Sequence, residues 1–409
     1  MLCYMLAYLN YINFIVINIM YFDYLKSYLD FRYFFLFIAL FILVLIGIYK
    51  IKFQFWSRQP VFHIHNLKYW LVPPGIIQHR KPEKDKFYEI NAKFIEMYNL
   101  NTQKKALITK FIGSHYMPHK YEKYVPTKKS IVSYFNGHNN KSYLSLMYDK
   151  TNLSKLIGMM TTRPLDIIID NNELQLYYVD FLCVHKNERK KGIAPRVIYT
   201  HYLNHRHKHD NMIFLFKREG PVTLIVPLTI YNNYLFDVSR WSKFTTFDQP
   251  NIQTILVNSS NFNLFLDVFE RLKQNNFRCF ISPNINNIKV LVKSNCLFIC
   301  LTMINNKPFD CYFFRNSFTS YNGNRSIELF GSFKETEKSI FLLGFFCSLS
   351  LIWKRLPYKR LFIENISDNN IIIKKVTERY SFISKTRCSY YFYNFAYRPF
   401  LPKNVFILN

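Results

Sequence analysis

Acidic residues are scarce in this 409-residue chain: 26 Asp and Glu stand against 54 Lys and Arg, a formal charge of +28. A chain so short of negative charge attracts polyanions, whether nucleic acid, anionic lipid or a phosphorylated cofactor. The cations are scattered and form no long basic tail, so charge alone specifies nothing narrower than an anionic partner. C-x-x-C pairs are absent among the cysteines at 3, 183, 279, 296, 300, 311, 347 and 388, most of which lie in apolar runs. That pattern argues against a disulfide framework or a zinc site and predicts reduced, buried thiols in a cytosol-facing domain. No G-x-S-x-G occurs, which removes the serine nucleophile elbow. No strong short-period repeat is visible. Half of the residues are hydrophobic, which excludes a disordered chain and suffices for two domains or one large fused one. The excess of Phe, Tyr, Ile, Asn and Lys runs throughout, as A- and T-rich codon usage produces.

The first fifty residues differ from the rest. Met1–Phe22 carry no charge, and Tyr33–Tyr49 read YFFLFIALFILVLIGIY. A spanning helix needs ~20 apolar residues, with a lower limit of ~17. One span or a hairpin of two is expected, and Lys50 and Lys52 direct the rest of the chain to the cytosol. The competing reading is an upstream extension outside the working protein. No small-residue cleavage site comes after it, against a secretory signal.

From Phe53 on, the pattern is that of an α/β (α+β) chain. Strands are predicted at 142–148, 155–161, 174–184, 289–292, 297–304, 310–314, 360–364 and 389–395, with helices at 193–207, 262–274 and 339–354. The similar order of elements in the two halves suggests a duplicated unit. The last helix is apolar but only about 15 residues long between Lys338 and Lys354, a length suited to a core helix.

Tyr178–Pro195 reads YVDFLCVHKNERKKGIAP. A strand, a basic glycine-containing loop and a helix succeed one another. Backbone N–H groups at the start of a helix, together with its dipole, make an anion site. Gly192 permits close backbone approach, and Arg189, Lys190 and Lys191 supply charge suited to a pyrophosphate. The bland alternative is an ordinary basic turn.

The R-x-x-G-x-A pattern resembles the CoA pyrophosphate loop of GNAT acyltransferases. The longer string DFLCVHKNERKKGIAPRVI resembles the N-myristoyltransferase signature N-F-L-C-V-H-K-x-L-R-S-K-R-x-A-P-V-L-I. Phe53–Val61 (FQFWSRQPV), Leu156–Pro164 (LIGMMTTRP) and Tyr390–Phe395 (YYFYNF) resemble further stretches of that family in the right order. The resemblance spans roughly 53–409. It implies two fused GNAT-like halves around a saddle-shaped mixed sheet, preceded by the apolar extension 1–52. The acyl-CoA-binding half would cover 53–215 and the peptide-binding half 216–409.

The resemblance also implies roles. Gln54, Phe55 and Trp56 would line the acyl-CoA site, with Leu182, Cys183 and Val184 beside the cofactor. Arg189, Lys190, Lys191, Gly192, Ile193, Ala194 and Pro195 would form the phosphate loop. The amides of Phe181 and Leu182 would face the thioester carbonyl and stabilise the charge built there, the loss of one such donor costing ~3 kcal/mol of barrier. The structural alternative is that these amides pair in a sheet ladder. The nucleophile would be the amine of an N-terminal glycine, of pKa ~8, so a base is required. The implied base is the terminal carboxylate at Asn409, whose apolar approach, Val405–Leu408, suits burial; the competing reading is a frayed tail. Myristoyl-CoA would be the acyl donor and proteins with N-terminal glycine the acceptors. No metal, no specific nucleic acid and a monomer are expected. The expected location is cytoplasmic, with membrane association through residues 1–49.

Several positions depart from the family pattern. Asp180 stands where Asn is usual and Gly192 where Arg is usual. The Y-T-A-G stretch has no clean equivalent near Phe214–Gly220, the Tyr-Trp-His run is missing near Ile225–Tyr231, and basic residues at 120–129 replace an acidic segment. The histidines at 201, 205, 207 and 209 are expected at a solvated helix end, with metal binding as the alternative. Two rival functions remain at this level: a nucleic-acid-binding protein on a degenerate acyltransferase fold, and a membrane-anchored structural protein.

Overall fold

The structure is a computed structural model and describes residues 31–116, 122–210, 212–220, 224–241, 247, 249–275 and 277–409. Met1–Phe22, the first expected apolar segment, lies outside the described residues. The chain divides into two compact units, Met1–Val61 and Phe62–Asn409.

The first unit contains helix α1 (Phe31–Lys52). Its residues Tyr33–Lys52 have a mean hydropathy of 2.7, and only 6% of the stretch is buried. By length and composition this helix could cross a bilayer. Lys50 and Lys52 lie in its last turn, where the helix dipole favours cations.

The second unit opens with helix α2 (Leu67–Leu71) and the two-residue strand β1 (Gly75–Ile76). Strand β2 (Ala92–Glu96), helix α3 (Thr102–His115), strand β3 (Glu122–Tyr124) and helix α4 (Lys128–Ser133) come after these. Next are β4 (Tyr143–Tyr148), β5 (Leu156–Ile169), β6 (Asn172–Val184), helix α5 (Ile193–Lys208) and β7 (Phe214–Glu219). The remainder contains β8 (Thr229–Asp237), β9 (Ile252–Leu256), α6 (Phe262–Asn275), β10 (Cys279–Ser282), α7 (Ile285–Lys293), β11 (Leu297–Ile304), β12 (Lys307–Tyr321) and β13 (Asn324–Phe333). It closes with α8 (Lys338–Arg355), β14 (Arg360–Glu364), α9 (Asn369–Arg379), β15 (Phe382–Tyr393), β16 (Phe395–Ala396) and β17 (Val405–Ile407).

Fifteen of these strands form one mixed sheet, and β1 pairs with β16 apart from it. The sheet runs β17-β10-β5-β6-β7-β15-β8-β14-β13-β12-β11-β9, with β4 on β5, β2 on β4 and β3 on β12. Two crossover units recur: β6–α5–β7 and β13–α8–β14 each place a helix between strands that pair in parallel. This is the duplicated order expected from the sequence. Helix α8 buries Phe341, Phe345, Leu349 and Ile352, so it is a core helix.

One predicted strand is a helix. Residues 289–292 belong to α7, which Asn284 caps through its side chain. Ile288, Leu291 and Val292 are its buried face, a spacing of three and four that a short window of apolar residues disguises as a strand. Other elements agree in kind but are longer, as β5 and β12 show.

The histidine cluster is also corrected. Only His207 and His209 are exposed, while His201 and His205 are fully buried. His201 bridges Ser145 (2.8 Å) and Thr162 (2.9 Å), and His205 packs against Tyr143 and Tyr177 with ring centroids 4.5 and 4.2 Å away. Among the described residues no group of three or more His, Cys, Asp or Glu is arranged to hold a metal.

Burial drives His201 down to about 3 and His205 well below its usual value. Both are neutral in the fold, and the unfolded chain binds protons first. Stability is therefore complete above pH ~6.5 and is lost as pH falls from ~6.5 toward 3, at about 1.4 kcal/mol per pH unit for each histidine. Urea unfolding at pH 7.5 and pH 5 should show this loss, and His201→Gln should flatten it. A stability independent of pH across that window would contradict the burial.

Candidate active site

The site begins where two strands part. β6 and β7 pair in parallel only at Tyr177–Phe214 and Tyr178–Leu215. Beyond Tyr178, β7 is held by β15 and β6 by β5, so the two diverge. At the mouth of this splay the β5–β6 ladder carries a bulge. Met160 opposes Leu182 and Thr162 opposes Val179, leaving Thr161 against Asp180 and Phe181 together. A bulge re-aims local backbone groups. The Phe181 N–H leaves the ladder and donates to Thr161 Oγ1 at 3.1 Å. A hydroxyl rather than a strand carbonyl therefore holds this amide.

Side chains alternate across β6. Phe181 and Cys183 enter a core beside α3 and α4 with Ile108, Phe111 and Leu144. Leu182 and Val184 face α5, against Ile193 and Val197. Burial pushes the Cys183 thiol up to about 12, so it is a neutral packing group and not a nucleophile. Gly158 seats the helix, because a Cβ there would lie 2.9 Å from Ile193 Cγ2 and 3.0 Å from Val197 Cγ2. Sequence reasoning missed Gly158 and Thr161; a Gly in a strand facing a helix start was the available signal for the first.

The basic loop then turns into α5. Lys190 (φ +63°) and Gly192 (φ +74°) are left-handed. Nothing lies within 4 Å of a Cβ placed on Gly192. Its glycine thus serves the turn, and the space it leaves is open. Gly192 caps α5 without a side-chain bond, and no acid occupies the first turn through Ile193, Ala194 and Pro195. Arg189, Lys190 and Lys191 are exposed. Arg189 Nη2 donates to the His115 carbonyl at 2.5 Å, and Glu188 receives both Lys155 (2.7 Å) and Lys191 (3.0 Å). The loop is fastened at its edges while the helix start stays open to an anion.

The matching loop of the second half is closed. Between β13 and α8, the amides of Glu335 and Thr336 donate to Asp310 Oδ1 at 2.8 and 2.9 Å. A carboxylate from β12 fills the place an anion would take. Chemistry therefore points to the first half's loop alone.

The chain end lies in the second half. β17 runs parallel to β10, and Leu408 N donates to Ile281 O at 2.8 Å. Asn409 is 7% exposed. Arg315 Nη1 donates to its main-chain oxygen at 3.2 Å and to its side-chain Oδ1 at 3.1 Å. Arg315 also meets Glu328 (2.7 Å) and Glu364 (3.1 Å), and Lys217 meets Glu364 at 2.6 Å. Burial, then the repulsion of Glu328, pushes Glu364 up to about 7 against the pull of Lys217. Burial also works against ionised Glu328, but Arg315 and Lys217 outweigh it and hold that carboxyl down. Tyr134, Leu408, Asn409 and Arg315 line a cavity of about 10 Å3, room for roughly one water. No sequence pattern announced this buried cluster, since its members come from separate strands.

Gln54, Phe55 and Trp56 lie in the first unit, at the turn Trp56–Arg58. There Gln59 Nε2 donates to the Phe55 carbonyl at 3.3 Å, and Ser57 Oγ to the Gln54 carbonyl at 3.4 Å.

Part of this chain is similar to known proteins. The model of the family described as myristoyl-CoA:protein N-myristoyltransferase, N-terminal domain, matches residues 81–213. The glycylpeptide N-tetradecanoyltransferase of Plasmodium falciparum (isolate 3D7) is 38% identical over 56 residues, 14% of this chain and 13% of that relative. The matched segment is thus a small part of the curated relative's length. A crystal structure of Saccharomyces cerevisiae N-myristoyltransferase with bound myristoyl-CoA has a TM-score of 0.68 at 12% identity, over 85% of this chain and 94% of that one. A second yeast structure with bound myristoyl-CoA gives 0.66 at 12% identity, over 85% and 89%. At that identity the likeness concerns the fold. The family model thus lies across the splay, the bulge and the basic loop of residues 81–213, and the chain has the fold of the yeast N-myristoyltransferase structures through both halves.

Proposed function

We propose that this protein transfers a myristoyl group from myristoyl-CoA to the amine of an N-terminal glycine. The observation that carries the reading is the continuous run from the bulge at Asp180–Phe181 to the left-handed turn at Lys190–Gly192. In it, an amide outside the ladder and an anion-ready helix start belong to one strand–loop–helix unit. The family match over 81–213 and the yeast relatives' bound myristoyl-CoA support the same donor.

In this mechanism the loop 189–194 takes the diphosphate of the donor, with Lys190 and the first amides of α5 as its contacts. Leu182, Cys183 and Val184 form the strand beside the pantetheine. The thioester oxygen accepts from the Phe181 and Leu182 amides, so negative charge developing on it meets fixed dipoles. The Thr161 hydroxyl yields the Phe181 amide to that oxygen. The terminal carboxylate at Asn409 accepts the proton of the attacking amine, and Arg315 fixes its position. The acyl chain contributes about 0.8 kcal/mol per buried CH₂ to donor binding.

Incubation with myristoyl-CoA and a Gly-starting peptide tests the reading. CoA release and a peptide mass increased by one myristoyl group are expected; absence of affinity for any long-chain acyl-CoA would overturn it. We also propose that α1 anchors the chain, placing the second unit on the cytosolic side. Its exposed apolar surface supports this, and full-length protein should float with uncharged phosphatidylcholine vesicles whereas residues 53–409 should not. Equal flotation of both would remove the anchor.

A further inference from the structure

Resting on the acyl-transfer reading above, we propose that Arg163 receives a carboxylate of the acyl acceptor, so that the preferred amine substrate bears an anionic group close to its nucleophilic nitrogen. Arg163 lies on β5 two residues beyond the bulge residue Thr161, and its side chain is fully buried. Its Nε–H donates to both oxygens of Asp180, at 3.0 and 3.1 Å. Its Nη1 and Nη2 are buried without a hydrogen-bond partner among the described residues. The guanidinium is held between two rings, its carbon 5.3 Å from the Tyr134 centroid and 5.5 Å from that of Tyr178.

This is an unusual state for a buried cation. Guanidinium presents five donors, and here only the Nε edge is used. Donors left unpaired in the interior are costly, so a group supplying two acceptors is strongly favoured there. The Nη1/Nη2 edge is a planar fork matched to the two oxygens of a carboxylate. The two rings leave that edge no freedom to turn elsewhere.

Arg163 lies close to the groups that the proposed transfer uses. Asp180, the anchor of Arg163, immediately precedes Phe181, whose amide lies at the bulge. Tyr134, which covers the guanidinium, also lines the small cavity with Arg315 and Asn409. Arg163 is therefore one ring away from the proposed base. An acceptor with only its ammonium group would bring a like charge toward Arg163. One carrying a carboxylate as well presents a matched pair, its anion to Arg163 and its amine toward Asn409. Asp180 explains itself in the same terms: where the family pattern has a neutral Asn, this chain has an acid that positions a cation.

The test compares three acceptors with myristoyl-CoA: a hexapeptide beginning Gly-Asp, its Gly-Asn isostere, and free glycine. Wild type should favour Gly-Asp over Gly-Asn by about tenfold or more in kcat/KM, the scale of one charge-assisted bidentate contact. Turnover of free glycine would identify a small amino acid as the source of the carboxylate. Because Arg163→Met alone strands a buried Asp180, the decisive protein is the double variant Arg163→Met with Asp180→Asn, alongside Arg163→Lys. The double variant should bind myristoyl-CoA as wild type does but lose the preference for Gly-Asp, and Arg163→Lys should restore part of it. Thermal-shift titration with each peptide reads binding without turnover. An unchanged preference in a double variant that still binds myristoyl-CoA, or no preference in wild type, overturns the proposal and leaves Arg163 a structural residue solvated by water. Failure of wild type to bind myristoyl-CoA would instead overturn the acyl-transfer reading itself.

Discussion

Adding a single glycine after Asn409 should cut turnover by about a hundredfold or more while acyl-CoA affinity changes little. The expected size is that of a lost general base. The chain end cannot slide to compensate. Phe406 packs on Phe280 and Phe313 with ring centroids 5.5 and 5.1 Å apart. It also lies against Gly331, where a Cβ would come within 3.1 Å of the ring. Val405, Phe406 and Ile407 are thus locked in β17, and an added residue must displace the carboxylate from its place beside Arg315. Deleting Phe406–Asn409 is the weaker experiment, because removal of a buried phenylalanine ring alone costs about 3–5 kcal/mol of stability. Single-turnover rates and equilibrium acyl-CoA binding, measured on the same extended protein, separate the two effects. Unchanged turnover would take the terminal carboxylate out of the mechanism.

Gly192→Glu should abolish acyl-CoA binding, with Gly192→Ala as the control for backbone strain. At φ +74° any L side chain is strained by about 1–2 kcal/mol. Nothing lies within 4 Å of a Cβ placed there, so alanine meets no clash. Alanine therefore reports strain alone, a loss of up to about thirtyfold in affinity if the whole cost falls on binding. Glutamate adds a negative charge between Arg189, Lys190 and Lys191, at the place proposed for a diphosphate. A loss of about a hundredfold or more is expected for Glu, and high salt should weaken the wild-type interaction. Equal losses for Ala and Glu would mean that the loop binds no anion.

The two experiments probe opposite ends of the proposed site, and the sequence announced those ends unequally. The basic loop and its helix were legible because their chemistry is local: a strand, three cations, a glycine and a proline sit together in the single stretch Tyr178–Pro195. The same locality made β6, α5, α8 and β14 readable to within a residue or two. Where signals were short or shared between periods, reading failed, as for α7, whose capped helix looks like a strand over 289–292. The histidine cluster failed for a related reason. Polar residues near a helix end suggest solvent, yet β4 and β5 supply Ser145 and Thr162 to satisfy His201, and no local pattern reports partners that far along the chain.

Residue order alone was enough to establish the class of fold, the strand–loop–helix over Tyr178–Lys208, and the apolar character of the first fifty residues. It took the folded molecule to reveal that β6 and β7 part after Tyr178, that Thr161 takes the Phe181 amide, and that Asp310 closes the second loop. The same holds for Tyr134, which covers Arg163 on one side and lines the cavity of Arg315 and Asn409 on the other. The difference lies in the range of the forces involved. Backbone propensity and charge runs act between near neighbours and leave their mark in order along the chain. The burial of an ion pair or the filling of an anion site depends on groups far apart in sequence, which meet only when the sheet has formed.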